Sequence, residues 1–222
     1  MDIKKPELIM IDLDGTLVDS VPDLAFCVDG MMQRIGREPW GEARVRDWVG
    51  NGVERLVRRA LTGSLDGEPE DEEFDRAYPI FVELYDQHNG ERSRLYPGVD
   101  EGLDYLASAG YTVGCITNKA ERFTLPLLKA LGVYDRFAIV ISGDTLPRKK
   151  PDPLPLLHAA EKFDTSPEHC LMLGDSVSDV KAARAAGFQI VCVSYGYNHG
   201  NDIREAAPDA VIDSFVELNG ML

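Results

Sequence analysis

Asp12 and Asp14 stand two residues apart where the apolar run Leu8-Ile9-Met10-Ile11 stops. Such a run is typical of a strand buried on both faces of a parallel sheet, and an unpaired ionised carboxylate at its end is costly. The two acids therefore need a cation, a partner or a catalytic role. On extended chain, positions 12 and 14 point to the same side, and Gly15 lets the backbone turn sharply after them. In open α/β sheets the carboxyl ends of the strands are where ligands bind. Taken alone, the same residues also read as a strand ending in a polar turn.

Three further polar groups follow apolar runs. Thr117-Asn118-Lys119 ends the segment from Thr112 to Ile116, and a hydroxyl with backbone N–H groups at a strand-to-helix turn suits phosphate oxygens, or simply caps the helix. Arg148-Lys149-Lys150-Pro151-Asp152-Pro153 is a basic cluster in an acidic chain. By itself it reads equally as a solvated, Pro-stiffened loop. Gly174-Asp175-Ser176-Val177-Ser178-Asp179 follows the run Cys170 to Leu173 and places two acids four apart where a helix begins, a spacing that suits metal ligands or capping residues.

Together these groups resemble the four ordered motifs of the haloacid dehalogenase superfamily. Asp12-Leu13-Asp14-Gly15-Thr16-Leu17-Val18-Asp19 is similar to its DxDGTLxDS motif, in the form that phosphatases and sugar-phosphate mutases use. The resemblance implies that Asp12 is the nucleophile and Asp14 the general acid/base. It matches Thr117 to the second motif, Lys150 of Lys-Pro-x-Pro to the third, and Asp175 and Asp179 of GDxxxD to the fourth. It further implies Mg2+ held by Asp12, the Asp14 backbone carbonyl and Asp175, with Asp179 a ligand or an orienting group. Oxygen-only donors shared with a phosphate fit Mg2+ better than Zn2+.

These residues need a scaffold, and a chain of 222 residues is long enough to bury a substantial core. Hydrophobic residues make up 44% and charged residues 27%, as in ordinary globular proteins. The net charge of −15 argues against nucleic acid or an anionic membrane as partner. An anionic substrate then depends on a local positive site. Lys4 and Lys5 precede the first apolar run like the start of a signal peptide, but Asp12 interrupts that run too early. Cys27, Cys115, Cys170 and Cys192 show no CxxC spacing and read as buried free thiols of a cytoplasmic protein, a monomer or homodimer.

Helical stripes follow the first strand. Val21 to Ile35, Val45 to Val49, Val53 to Leu61 and Phe74 to Tyr85 each repeat apolar residues at helical spacing, and Pro79 is expected to kink or break the last. From Tyr96 onward, helical patterns ending in Gly110, Gly132 and Gly187 each precede a strand-like run. That alternation predicts right-handed crossovers into a parallel sheet. The fold class is therefore α/β: a Rossmann-like parallel sheet core of residues 1–17 and 93–222, with an all-α unit, residues 18–92, inserted after the first strand. Its place and make-up resemble the C1-type cap of the superfamily.

The segment Trp48 to Val57, with Tyr96-Pro97-Gly98-Val99, Thr117-Asn118-Lys119 and Tyr195-Gly196-Tyr197, is similar to bacterial phosphoglycolate phosphatases. The resemblance implies the small phosphate ester 2-phosphoglycolate as substrate. Gly50-Asn51-Gly52 opening a helix, with Arg55 one turn on, is then expected to receive its carboxylate, while Asn118 helps hold the phosphoryl oxygens. Hydrolysis of other small esters or a β-phosphoglucomutase-like reaction is the alternative. A receiver-like module that stores phosphate on Asp12 is a distant one.

Overall fold

Why the chain folds as it does is clearest at its first strand. The structure, a computed structural model, describes residues 3–222. Strand β1 (Leu8–Ile11) has all four residues fully buried, because both of its faces are covered. After β1 come the short β2 (Val18–Asp19) and four helices, α1 (Val21–Arg34), α2 (Glu42–Arg46), α3 (Val53–Thr62) and α4 (Asp71–His88). The chain continues through β3 (Arg94–Leu95), α5 (Val99–Ser108), β4 (Thr112–Ile116), α6 (Glu121–Ala130), β5 (Ile139–Ile141), α7 (Leu154–Lys162) and β6 (Cys170–Gly174). It ends with α8 (Val177–Ala186), β7 (Gln189–Val193), β8 (Ala210–Ile212) and α9 (Leu218–Met221).

Six strands form one parallel sheet in the order β5-β4-β1-β6-β7-β8. β1 is central, with Ile9 opposite Val113 on one side and Leu171 on the other. Side chains alternate across the sheet. Ile9 and Ile11 pack with Leu103 and Leu106 of α5, Leu127 of α6 and Leu218 of α9. Leu8 and Met10 face Leu156 and Ala159 of α7 and Val180 and Ala183 of α8. Each fully buried aliphatic side chain contributes roughly 1.5–3 kcal/mol, so this three-layer packing fixes where the strand ends lie. Gly110, Gly132 and Gly187 stop α5, α6 and α8 with positive φ values of 80°, 72° and 79°. All four cysteines are buried and unbridged. Among the described residues no helix is long and apolar enough to cross a membrane.

Helices α1–α4 share an apolar cluster that Phe123 of α6 and Tyr197 join from the sheet domain, and Trp48, Tyr85, Phe81 and Phe123 are its largest fully buried side chains. Two differences from the sequence pattern stand out. α2 stops at Arg46, and Trp48 and Val49 are buried from the loop that follows. α4 runs unbroken through Pro79. Pro79 and Asp75 are both exposed, so water can satisfy the carbonyl that proline leaves without its partner, while Phe74, Ala77, Phe81 and Tyr85 anchor the opposite face.

Entry to and exit from the helical unit are tied together. β2 and β3 pair antiparallel, Val18 opposite Leu95 and Asp19 opposite Arg94. One turn into α1, the fully buried Asp23 accepts from Gly90 N (2.8 Å), Arg92 N (2.9 Å), Ser93 N (3.0 Å) and Ser93 Oγ (2.5 Å). Removing this acceptor leaves several donors unsatisfied, at about 1–3 kcal/mol for each that stays dry. Asp23→Ala is therefore expected to lower the unfolding free energy by about 3 kcal/mol or more in urea titration. A loss below ~1 kcal/mol would show that water replaces the clasp.

Candidate active site

The cleft opens at the carboxyl edge of the sheet, where β1, β4 and β6 hand over to their loops. It encloses a cavity of about 290 Å³ lined by Asp12, Asp14, Thr117, Lys150, Asp175 and Asp179, among others. The sequence motifs, more than 160 residues apart at their extremes, therefore meet in one place. Asp12 leaves β1 with its N–H bonded to Leu173 O (2.9 Å), which locks the strand end against β6. Gly15 then turns at φ +87°, and a Cβ there would lie 2.3 Å from Asp175 Oδ2. A Cβ on Gly196 would lie 2.1 Å from the Asp175 Cβ. Asp175 is thus threaded between two residues that must lack side chains.

Three carboxylates crowd together. Oxygens of Asp12, Asp175 and Asp179 all lie within 4.8 Å of one another, and all three residues are buried. Burial lifts the Asp12 carboxyl to about 7, against the opposing pull of Lys150, with Asp179 adding to the rise. Burial also raises Asp175 well above the usual carboxylate range, helped by the negative charges of Asp179 and Asp12. Such a cluster of hard oxygen donors, short of positive charge, fits a divalent cation. Asp12 and Asp175 are the freer donors. Asp179 is already engaged: its Oδ2 accepts from Ser176 Oγ (2.7 Å), Ser176 N (3.1 Å) and Asp175 N (3.2 Å), and its Oδ1 pairs with Lys150 Nζ (2.7 Å). It orients its neighbours as much as it could hold an ion.

Lys150 is buried between Asp12 Oδ1 (2.8 Å) and Asp179 Oδ1 (2.7 Å), and also donates to Ile116 O (3.0 Å). Burial works against its charge, but the two aspartates outweigh it and hold the ammonium above the usual Lys range. Thr117 is buried at the end of β4, where its Oγ accepts from Lys119 N (3.1 Å). That leaves the hydroxyl proton to be donated into the cleft. The Asn118 side chain turns away and donates to Lys150 O (2.9 Å), tying the β4 end to the lysine loop.

Gly50 and Asn51 line the cleft, with Asn51 in the left-handed region at φ 67°. Arg55 corrects the sequence reading. Its guanidinium turns outward to Glu68 and Leu65 O (3.0 Å), lining an adjoining surface pocket with Glu54, Arg58 and Lys149. The acidic loop after α3 captures it before it can reach the cleft. Arg59, one turn further on, does the positioning: it donates to Trp48 O (2.6 Å), Gly50 O (3.2 Å), Asn51 Oδ1 (3.1 Å) and Leu65 O (3.1 Å).

Other residues escaped the sequence reading. Thr16 Oγ donates to Asp175 Oδ1 (2.9 Å), and Tyr197 N donates to Asp175 Oδ2. Lys119 places its ammonium on both oxygens of Asp14, at 2.9 and 3.0 Å. Thr16 and Lys119 sit inside the recognised motifs, yet only the assembled fold shows what they touch.

Known proteins place the chain in a family. The family model of haloacid dehalogenase-like hydrolases matches residues 6–187. A phosphoglycolate phosphatase of Nitrosococcus oceani is 63% identical over 99% of this chain and 98% of its own. One from Nitrosospira multiformis is 48% identical over 96% and 94%. The crystal structure of a predicted phosphoglycolate phosphatase from Haemophilus somnus superposes with a TM-score of 0.92 at 34% identity, covering 98% of each chain.

The pKa of Asp12 sets a sign for cation binding. A carboxyl whose pKa rises from 3.8 to about 7 on folding costs stability as pH rises between those values, because the folded site must give up its proton. A cation competes with that proton. A divalent cation held there should therefore raise the Tm more at pH 8 than at pH 6 in a calorimetric scan. An equal or larger rise at pH 6 would show that Asp12 is not a ligand.

Proposed function

The chain belongs to the haloacid dehalogenase-like hydrolases and is a phosphatase, and from that premise we propose that it hydrolyses 2-phosphoglycolate to glycolate and phosphate through an aspartyl-phosphate. One observation carries the chemistry: Lys150 sits 2.8 Å from Asp12 inside a carboxylate cluster that shares its cleft with Asp14 and Thr117. The names of full-length relatives at 63% and 48% identity support the substrate.

Asp12 is the nucleophile. An Asp12 oxygen bonds to phosphorus as the phosphorus–ester oxygen bond breaks, and Asp14 gives its proton to the departing alkoxide. Water then attacks the same phosphorus, Asp14 takes the proton back, and the bond to Asp12 breaks to release phosphate. Lys150, the Thr117 hydroxyl and the Asn118 backbone N–H hold the transferring oxygens, an arrangement whose gain is positioning and charge stabilisation. Asp12 and Asp175, with the Asp14 carbonyl and Asp179 nearby, would hold Mg2+. When bound, Mg2+ supplies the positive charge that lets an anionic nucleophile approach an anionic ester.

The helical unit, residues 18–92, acts as a cap over this cleft. Its loop reaches the core directly: Lys149 Nζ donates to Asn51 O (3.0 Å), and His199 Nδ1 meets Asp47 O (2.9 Å).

Two measurements test the reading. Asp12→Asn should lower turnover by at least about 10⁴-fold with an unchanged circular dichroism spectrum, as loss of a nucleophile does. Appreciable turnover in that variant would remove Asp12 from its role. Phosphate release across a panel of esters should be Mg2+-dependent and highest in kcat/KM for 2-phosphoglycolate. Preference for another ester would replace the substrate, and a sugar-bisphosphate requirement would indicate a mutase. A long-lived phospho-Asp12 would indicate a receiver-like module.

A further inference from the structure

Gly50, Asn51 and Gly52 line the cleft, but Arg55 turns out of it, so the substrate's carboxylate lacks the charged partner that the sequence suggested beside them, and the cleft must supply another. Three lysines line it: Lys119, Lys150 and Lys181. Lys150 has three N–H groups and three acceptors, Asp12, Asp179 and Ile116 O. Lys181 is exposed at the rim, where water screens its charge. His199 shares the lining but commits Nδ1 to Asp47 O. Lys119 is different. Its side chain is 2% exposed, and its two recorded hydrogen bonds both run to the carboxylate of Asp14. Tyr85 of α4 closes over it, with the ring centroid 5.1 Å from Nζ. An ammonium has three N–H groups, so this one keeps a donor beyond the two that Asp14 takes, with the buried and otherwise unpartnered Tyr85 hydroxyl as a competing acceptor beside it.

Its place relative to Asp14 matters more than its charge. Asp14 serves the ester oxygen in the proposed reaction. In 2-phosphoglycolate one methylene separates that oxygen from the carboxylate, so carboxylate and ester oxygens lie roughly 3 Å apart on ordinary bond lengths. A cation 2.9 to 3.0 Å from the Asp14 oxygens is therefore within one hydrogen bond of where the carboxylate must sit.

We infer that Lys119 is the specificity-determining residue that receives the substrate's carboxylate, an inference that rests on the 2-phosphoglycolate reading above. It predicts a preference for phosphate esters bearing an anionic group one carbon from the ester oxygen. Esters with the anion farther away would not span Asp14 and Lys119 together. Tyr85 makes the helical unit a contributor to this choice, since it walls off Lys119 from bulk water.

The test compares 2-phosphoglycolate with ethyl phosphate, which has the same two-carbon chain without the carboxylate. The readout is the ratio of the two kcat/KM values with Mg2+ present, because any effect of Lys119 on Asp14 acts on both esters and cancels. Lys119→Met is expected to lower this ratio about 10- to 100-fold, the range of a lost charged hydrogen bond, mainly through KM for 2-phosphoglycolate. Lys119→Arg should retain part of the preference, and Lys119→Gln serves if the Met variant does not fold. A ratio unchanged in these variants would overturn the inference while leaving the substrate reading intact, and would make Lys119 a positioning residue for Asp14 alone. A parent protein with no preference for 2-phosphoglycolate over ethyl phosphate would overturn both.

Discussion

Negative charge gathered at one edge of a buried sheet is the constraint on which the rest of this molecule depends. Asp12, Asp175 and Asp179 converge from the ends of β1 and β6 and the first turn of α8 with little water to screen them. Like charges at such separations in a poorly polarisable setting repel by several kcal/mol unless countered. Lys150 is the counterweight the chain itself provides, and its placement is over-determined: two carboxylates and the Ile116 carbonyl take its ammonium, and Asn118 holds its backbone. The mismatch that remains, three carboxylates against one lysine, is what makes the site receptive to a further cation. A neutral cluster would have no use for one.

The scaffold meets this demand through close approach. Asp175 can reach the cluster only because Gly15 and Gly196 leave room for it, and Gly174 does the same for Asp179, whose Cβ would be 2.5 Å from a Cβ at that position. The same loops connect the site to the helical unit. Tyr197 donates its backbone N–H to Asp175, and its hydroxyl bonds Asp19. Arg46 of α2 takes Asp19 by two parallel bonds of 3.1 Å and lies over the Tyr197 ring. A bidentate ion pair fixes direction as well as distance, so the residues that orient Asp175 and those that orient α2 are held by one shared carboxylate.

Much of this was legible in the chain. Strand β1 announced itself because a run buried on both faces has to be apolar throughout, and the Gly residues after α5, α6 and α8 mark helix ends because few other residues accept positive φ. The polar groups at strand ends were legible for a related reason: carboxylates and a lysine next to buried strands need each other. Strands β2, β3 and β8 were not, since two or three residues are too few for a period to show. The outward turn of Arg55 was not legible, because helical spacing says which residues share a face, not which loop will cover it; the acidic loop around Glu68 decides that. Thr16, Lys119 and the Tyr197 hydroxyl act through residues more than 100 positions distant. No local pattern encodes such a contact.

An acidic protein of a phosphatase family must present positive charge selectively, and Arg59 shows how. It is 6% exposed, yet its recorded partners are three carbonyl oxygens and the Asn51 amide oxygen, none of them a carboxylate. Burial pulls its pKa below the ordinary Arg value, with Arg55 adding to the fall, but a guanidinium stays protonated throughout the physiological range. Its charge is hydrogen-bonded without being neutralised. The carbonyls of Trp48 and Gly50 turn back toward it, and the start of α3, preceded by Gly52 at φ 94°, lies at the cleft wall. A buried guanidinium and a helix N-terminus therefore present positive potential from the same side. The carboxylate cluster lines the same cleft from the sheet edge. An anionic ester entering the cleft meets attraction from the α3 side, which a net charge of −15 spread over the surface would otherwise deny it.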